Sequence, residues 1–334
     1  MKREPPHITV IKGGWLTTVQ DLGRYGAQPY GLSVAGAMDS FSTIVANRLV
    51  RNPDYAAVLE LTLKGPELQF EHDAAIALTG ADLSPTINGR SIPMWERIVI
   101  QGGSRLRFGM PRTGSRAYLA IAGGIDVPLM LGSRSTHCAS ETGGLEGRPL
   151  KQGDVLCCGQ PRQFVDCGTA KRLLKELIPR YERSVTLRII PGPQDNFFLK
   201  ESHTALIGSP YTVAPQSDRM GYRLTGPPII RKGATQFISD GTTMGALQVP
   251  PDGQPILLMA DRQTTGGYPK IAVVISVDLP LAAQLAPGDR ISFSPYTVAE
   301  AQAVLRQQRA QLDAALPPQQ NASPASNRLP IPKQ

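Results

Sequence analysis

Apolar residues in this chain come in short runs rich in valine, isoleucine and leucine, each soon closed off by glycine, proline, aspartate or asparagine. Such runs are too short for helices of ordinary length and carry the β-branched residues that suit a pleated sheet, so many short strands are predicted. In the first half they fall at 8–11, 59–63, 74–78, 97–100 and 117–121. In the second half they fall at 186–190, 235–238, 256–259, 271–277 and 290–293. The 33 glycines and 30 prolines supply the turns between them. Asn88-Gly89 and Asp252-Gly253 can each provide the positive φ angles of a tight hairpin.

Helices are expected in three places only. Asp39 can cap a helix over 40–50, with Ile44, Val45, Ala46 and Leu49 on one side. A second is predicted over 169–178, stopped by Pro179. A third opens on the capping box Thr297-Val298-Ala299-Glu300 and runs to about residue 316, where Pro317-Pro318 ends it. The tail to Gln334, rich in proline, asparagine and serine, is expected to be disordered.

A length of 334 residues suits two domains. The halves also echo one another. Gln152-Gly153-Asp154-Val155-Leu156 closes the first and Pro287-Gly288-Asp289-Arg290-Ile291 closes the second, each a Gly-Asp turn entering a strand. The division is placed in or after 169–181. This gives a β-rich domain at 1–170, a β-barrel domain at 183–300, and a helix with tail at 301–334.

Charge and cysteine usage narrow the partners. The net charge is +8, but lysine and arginine are scattered, and the densest group, Lys171, Arg172 and Lys175, is interleaved with leucines like one face of a helix. No zinc-finger spacing, RNA-binding aromatic signature or long basic block is present, so nucleic acid is not the expected partner; an anionic substrate or acidic protein is. None of the four cysteines forms a Cys-x-x-Cys pair, and Cys157 and Cys158 read as one residue on each face of a strand. No apolar segment follows Met1 in the manner of a signal peptide, and no apolar run reaches the roughly 18 residues of a membrane span. The expected location is the cytoplasm, with free thiols and no membrane contact.

Several chemistries lack their residues. There is no Gly-Lys pair, hence no P-loop for ATP. Gly31-Leu32-Ser33-Val34-Ala35-Gly36 misses the serine-hydrolase elbow by one position. The histidines, His7, His72, His137 and His203, are not at metal-ligand spacing. No Met-Lys-Met turn is present, so the chain is not itself a biotin carrier.

What remains is a set of glycine-rich loops loaded with polar side chains. They are Gln20-Asp21-Leu22-Gly23-Arg24, Gly36-Ala37-Met38-Asp39 with Asn47, Ser217-Asp218-Arg219-Met220-Gly221, and Gln248 followed by Asp261-Arg262-Gln263-Thr264-Thr265-Gly266-Gly267-Tyr268-Pro269-Lys270. Loops of this composition at strand ends are where sites are built, and they also make ordinary buried turn networks.

These loops, together with Ala77-Leu78-Thr79-Gly80-Ala81-Asp82, Arg116-Ala117-Tyr118-Leu119-Ala120, Gly132-Ser133-Arg134-Ser135-Thr136 and Leu150-Lys151-Gln152-Gly153-Asp154, resemble the biotin-dependent carboxyltransferase family, which includes allophanate hydrolase subunit 2 and the C-type subunit of 5-oxoprolinase. The resemblance runs from about residue 8 to about residue 300. Departures are Ala35 where the family has serine, Arg51 where it often has glycine, and His137 where it often has tyrosine. The resemblance implies a mainly β protein of two cyclophilin-like β-barrel domains with a few short helices. It implies one component of an ATP-dependent 5-oxoprolinase, a hydrolase of a cyclic amide that is active only with partners. Those partners are a smaller homologous protein, allophanate hydrolase subunit 1 or the B-type subunit of 5-oxoprolinase, and an A-type lactam-utilisation protein. ATP is then used by the complex, with no site identifiable on this chain. The alternative it carries is the carboxyltransferase half of a urea carboxylase system, with biotin on a separate carrier. A third is a non-catalytic regulator that antagonises a kinase inhibitor.

An amide must be held at its carbonyl oxygen, at its nitrogen and next to a second reactant. Arg219 and Arg24 suit donor and carboxylate-clamp roles, Asp218 and Asp261 suit acceptor or base roles, and Lys270 suits an anion. Gln20, Gln248 and Gln263 can read an amide edge, and Gly266-Gly267 can let backbone approach a ligand. Asp21, Met38, Asp39, Asn47, Thr264 and Tyr268 complete the expected substrate-binding set.

Overall fold

In the first strand, His7–Lys12, Ile8 and Val10 turn inward while their neighbours face outward, the period-two alternation of a sheet with one wet face. The computed structural model, which describes residues 6–160, 171–233 and 237–319, repeats this alternation at Arg105–Arg107, Val155–Cys157 and Arg290–Pro295. The chain divides into two units: Met1–Ala27, Ala35–Ile178 and Gln311–Gln334 form the first, and Gln28–Val34 and Pro179–Ala310 the second.

The first unit contains β1 (His7–Lys12), β2 (Leu16–Gln20), β3 (Val58–Thr62), β4 (Glu67–Phe70), β5 (Ala74–Asp82), β6 (Thr86–Ile87), β7 (Arg90–Ser91), β8 (Arg97–Ile100), β9 (Arg105–Arg107), β10 (Thr113–Ile121) and β11 (Val155–Cys157). They form a six-stranded sheet in the order β11-β1-β4-β9-β6-β7 and a five-stranded sheet in the order β2-β3-β10-β5-β8. Ile8, Val10, Leu59, Leu61, Leu68, Phe70, Ile76, Leu78, Leu119 and Ile121 fill the core of this unit. Each such side chain contributes about 1.5–3 kcal/mol on burial. β5 and β10 are buried on both faces, because helix α1 (Ser40–Leu49) packs against both strands. The expected Asn88-Gly89 turn is present: both residues take positive φ and join Ile87 to its partner Arg90.

The second unit contains β12 (Ser184–Pro191), β13 (Tyr211–Val213), β14 (Gly221–Thr225), β15 (Asp240–Gly241), β16 (Ala246–Gln248), β17 (Ile256–Leu258), β18 (Thr265–Gly266), β19 (Lys270–Val274) and β20 (Arg290–Pro295). Seven of them close into a barrel, β12-β19-β16-β17-β14-β13-β20, sealed by the parallel pairing of β12 with β20. β15 and β18 pair separately as a two-stranded ribbon. The mainly β class is thus as the sequence indicated; of the two barrels that the resemblance implied, the second unit forms a closed one, while the strands of the first unit are arranged in two sheets.

The echo between the halves is a shared piece of construction. Asp154 Oδ2 accepts from Lys151 N at 2.8 Å, and Asp289 Oδ2 accepts from Ala286 N at 2.9 Å. Gly153 and Gly288, with φ of 89° and 91°, donate to Val10 O and Val213 O respectively. Both turns therefore lock a closing strand onto its unit in the same way.

The helices are partly as expected. Asp39 caps α1 by accepting from Ser42 N and Ser42 Oγ at 2.8 and 2.6 Å. The Thr297–Glu300 box caps α4 (Val298–Ala315), with Thr297 N donating to Glu300 Oε2 at 2.8 Å and Glu300 N to Thr297 Oγ1 at 3.2 Å. Helices α2 (Lys200–Gly208) and α3 (Leu279–Ala283) were not foreseen, being short and weakly patterned. The helix predicted over 169–178 is corrected. Residues 171–178 hold only a 3-10 turn at Lys175–Leu177, because 171–173 are drawn into sheet-like bonds with Trp95, Glu96 and Arg97; residues 169–170 lie outside the described residues. Of the strand predicted at 235–238, residues 235–236 lie outside the described residues, and Phe237 and Ile238 are not in a strand. The 320–334 part of the tail also lies outside them.

Candidate functional site

Six of the residues singled out by sequence lie in the first unit, and their polar atoms hold its loops. Asp21 is the hub of one loop. Its Oδ1 accepts from Gly23 N at 2.8 Å, Ser133 Oγ at 2.7 Å and Ser135 Oγ at 2.5 Å, and its Oδ2 accepts from Arg134 N at 2.6 Å. Arg24 is buried and donates to the carbonyls of Met130 and Ser135, both at 2.9 Å. Burial lowers its pKa from the ordinary arginine value, against the opposing pull of Asp21. Gln20 donates to Thr18 Oγ1 and Thr136 O at 3.0 Å, while its Oε1 is buried with no partner.

The Gly36-Ala37-Met38-Asp39 loop is pinned from below. Met38 N donates to Glu60 Oε2 at 2.8 Å, Tyr118 Oη donates to the same oxygen at 2.9 Å, and Asp39 N donates to Tyr118 Oη at 2.9 Å. Burial first, then the nearby Glu60 charge, pushes the Tyr118 phenol well above its ordinary pKa. Asn47 donates to Ala56 O at 2.8 Å and accepts from Asn52 Nδ2 at 3.1 Å. Glu60 and Tyr118 stand outside the expected site set, although Tyr118 falls within one of the motifs of the resemblance, since a lone polar residue inside an apolar run carries no local signal of its partner.

The remaining candidates lie in the second unit and fall into three groups. Arg219 and Asp261 form a two-pronged ion pair, with Nε to Oδ2 and Nη2 to Oδ1 both at 2.9 Å. Asp261 N also donates to Arg219 O at 2.8 Å, so side chains and backbone together bind the two loops.

The second group lines a small cavity of about 240 Å³ that includes Asp218, Arg223, Gln248, Gln263 and Tyr268. Here the two glutamines are joined amide to amide, Gln263 Nε2 donating to Gln248 Oε1 at 3.2 Å, and Gln248 Nε2 donates onward to Tyr268 O at 3.3 Å. Gly266 leaves the room for this arrangement: a methyl group there would stand 2.2 Å from Gln248 Nε2. Gly267 has no such neighbour, the nearest atom to a methyl being Ser239 Oγ at 3.6 Å. Asp218 Oδ1 accepts from Met220 N at 2.8 Å and Gly221 N at 3.2 Å. Gln263 O accepts from Thr242 Oγ1, and Thr264 O accepts from Thr242 N at 3.0 Å. Ser33 Oγ donates to Arg262 O at 3.0 Å.

The third group surrounds Lys270, which sits opposite Gln248 in the β16–β19 pairing. Only 2% of this lysine is exposed. Its ammonium donates to Asp240 Oδ2 and Gly241 O, both at 2.9 Å, and lies 5.7 Å from the Phe237 ring centre. Gln194 spans the pair, accepting from Lys270 N at 3.1 Å and donating to Asp240 Oδ2 at 3.2 Å. The Lys270 hydrogen bond holds the Asp240 carboxyl below its ordinary pKa, helped by Gly241 N and Gln194. Asp240 and Gln194 are the residues that sequence reading missed in this unit. Asp240-Gly241 was available as a turn signal, but only the ribbon formed by β15 and β18 brings it to Lys270.

Chemically, the second unit thus offers a paired amide face, a carboxylate at Asp218 and a buried cation with one acidic counter-ion. Among the described residues no group of three histidine, cysteine or acidic side chains could hold a metal ion, and no helix is long and apolar enough to cross a membrane.

The chain has relatives among known proteins. A family model described as carboxyltransferase domain, subdomain A and B, matches residues 30–295. The chain is 41% identical over 295 residues to the C-type subunit of 5-oxoprolinase from Escherichia coli, a match that covers 88% of this chain and 93% of that protein. It is 34% identical over 310 residues to urea amidolyase of Saccharomyces cerevisiae, covering 87% of this chain and 17% of the yeast protein. The crystal structure of urea amidolyase from K. lactis superposes with a TM-score of 0.87 at 33% identity, over 94% of this chain and 20% of that one. The chain therefore spans about a fifth of that solved structure.

Proposed function

The chain belongs to the carboxyltransferase domain family, subdomain A and B, and from that premise we propose that it works as the C-type subunit of an ATP-dependent 5-oxoprolinase, opening 5-oxoproline to L-glutamate together with partner proteins. The observation that carries this reading is the Gln248–Gln263 amide pair in the small cavity of the second unit. A lactam presents a carbonyl acceptor and an N–H donor side by side, and a glutamine amide matches both. The near full-length likeness to a C-type 5-oxoprolinase subunit supports the same choice of amide.

Ring opening adds water across the lactam C–N bond, the hydroxyl going to the carbonyl carbon and a proton to the nitrogen. Gln248 and Gln263 bind and orient the amide edge, Asp218 is the carboxylate placed to accept a proton, and Lys270 supplies positive charge for the substrate carboxylate. Arg219 and Asp261, already satisfied by one another, position Asp218, which adjoins Arg219, and Gln263, two residues beyond Asp261. We assign ATP use to the complex, with a smaller B-type subunit and an A-type lactam-utilisation protein completing it in the cytoplasm. The loops of the first unit, with Asp21, Arg24 and Asp39 at their centres, act here as scaffolding.

A second reading has its own support. The chain shares 34% identity with a urea amidolyase, and urea offers the same planar amide edge. On that reading the chain moves a carboxyl group from biotin on a separate carrier to urea. The two readings part in a reconstitution. The chain alone should release no ADP on addition of 5-oxoproline, and the three-protein mixture should release ADP and glutamate together. A mixture silent on 5-oxoproline, while urea is carboxylated with a biotin carrier and its carboxylase, would establish the second reading. If neither mixture turns over while the chain still binds its smaller partner, a regulatory role replaces both.

A further inference from the structure

We propose that the first unit carries a second ligand site, a cleft between its two sheets that takes a small carboxylate with an apolar body. None of the residues assigned to the amide site lines it, so the two sites can be tested separately. The cleft has a volume of about 440 Å³. Its floor belongs to the core: Ile8, Phe70 and Ile121 line it and are only 1–2% exposed. Small residues, Ala74, Ala75 and Ala122, line it and leave it open.

Size bounds the ligand. A dry cavity of about 150 Å³ holds benzene, so this one accommodates roughly eighteen non-hydrogen atoms at the same density. Pockets of this size with an apolar floor and a few polar groups at the mouth are the usual form of small-molecule sites.

Charge sets its sign. Arg51, Arg97 and Lys171 line the cleft, against Asp73 as the single carboxylate among the described residues that line it. Asp73 Oδ1 accepts from Gly102 N at 2.8 Å, and its one negative charge is outnumbered by the three cationic residues. Arg97 N donates to Lys171 O at 2.7 Å, which joins two of the cationic residues along one side of the mouth. An apolar floor below a cationic rim selects an amphipathic anion over a neutral molecule of the same shape, because guanidinium and ammonium groups make strong bonds to carboxylate.

Naphthylacetate and naphthylacetamide make the test, because they share a body and differ in charge. Titrated calorimetrically into the full-length chain, the acid should bind at one site, at least about tenfold more tightly than the amide. The Arg97→Gln/Lys171→Gln double variant should weaken the acid to the level of the amide and leave the amide unchanged. Val99→Asp places a negative charge at the mouth on a residue that is 72% exposed, so folding is spared and only the acid should be lost. Equal binding of acid and amide, absence of acid binding, or acid binding indifferent to Val99→Asp would each overturn the proposal.

Discussion

Neighbouring glycines at 266 and 267 should respond to the same substitution in opposite ways. In Gly266→Ala the new methyl stands 2.2 Å from Gln248 Nε2, 3.2 Å from Gln248 Cδ and 3.3 Å from Gln263 Nε2. The amide nitrogen must retreat by about 1 Å to reach an ordinary contact. Gln248 is 1% exposed and held on both sides of its amide, so the retreat breaks its bonds to Tyr268 O and Gln263. An unsatisfied buried amide costs about 1–3 kcal/mol. A displacement of that size in a substrate-positioning group costs about a hundredfold in rate, equivalent to about 2.7 kcal/mol of barrier. In Gly267→Ala the methyl meets only Ser239 Oγ at 3.6 Å, an ordinary contact, and neither glycine has a left-handed φ that would add strain. The assay is kcat/KM for 5-oxoproline in the reconstituted complex, with thermal melting of each variant alongside. Gly266→Ala should lose about two orders of magnitude and a few degrees of melting temperature, and Gly267→Ala should lose neither. Wild-type kinetics in Gly266→Ala, or an equal loss in Gly267→Ala, would refute the packing argument.

Three further outcomes follow from the same contacts. Arg48 binds Asp54 through both carboxylate oxygens at 2.8 Å and reaches Asp313 Oδ1 at 2.6 Å and Leu316 O at 2.8 Å. Arg48→Ala should cost about 1–3 kcal/mol, less than a fully buried pair because Asp313 is 40% exposed, and amide exchange at 312–316 should quicken; unchanged exchange there would count against it. The Arg148 hydrogen bond holds the Asp154 carboxyl below its ordinary pKa, so its stabilisation is present above the unfolded value of about 3.9 and is lost as pH falls through the lower folded value. Asp154→Asn should therefore melt lower than wild type at pH 7, with the gap narrowing in acid, and a gap independent of pH would show the linkage to be wrong. In Lys270→Met, the Asp240 carboxyl should titrate closer to its ordinary value in a carbon-detected NMR titration, since Lys270 is the largest cause of its depression; an unmoved Asp240 would mean that Gly241 and Gln194 alone set it.

Much of the fold was legible because its signals are local. Alternation at Ile8 and Val10, the Asn88-Gly89 turn, the Asp39 cap and the Thr297–Glu300 box each depend on residues a few positions apart. The failed helix over 169–178 shows the limit of locality. Leu173, Leu174 and Leu177 have helical spacing, but Arg97 N and Leu173 N find bonds between that segment and the edge strand β8 and its approach. The candidate loops were legible as loops, and their division of labour was not. Asp21 serves Ser133, Arg134 and Ser135 from more than a hundred residues away in sequence. Lys270 finds Asp240 thirty positions back. Such pairings are made by sheet topology, which short-range spacing does not encode.

The central claim is that the amide is held in the second unit by Gln248 and Gln263. Its most direct test is steady-state kinetics of the reconstituted complex carrying Gln263→Ala. The KM for 5-oxoproline should rise about tenfold or more, with the KM for ATP unchanged. An unchanged KM for 5-oxoproline would contradict the claim.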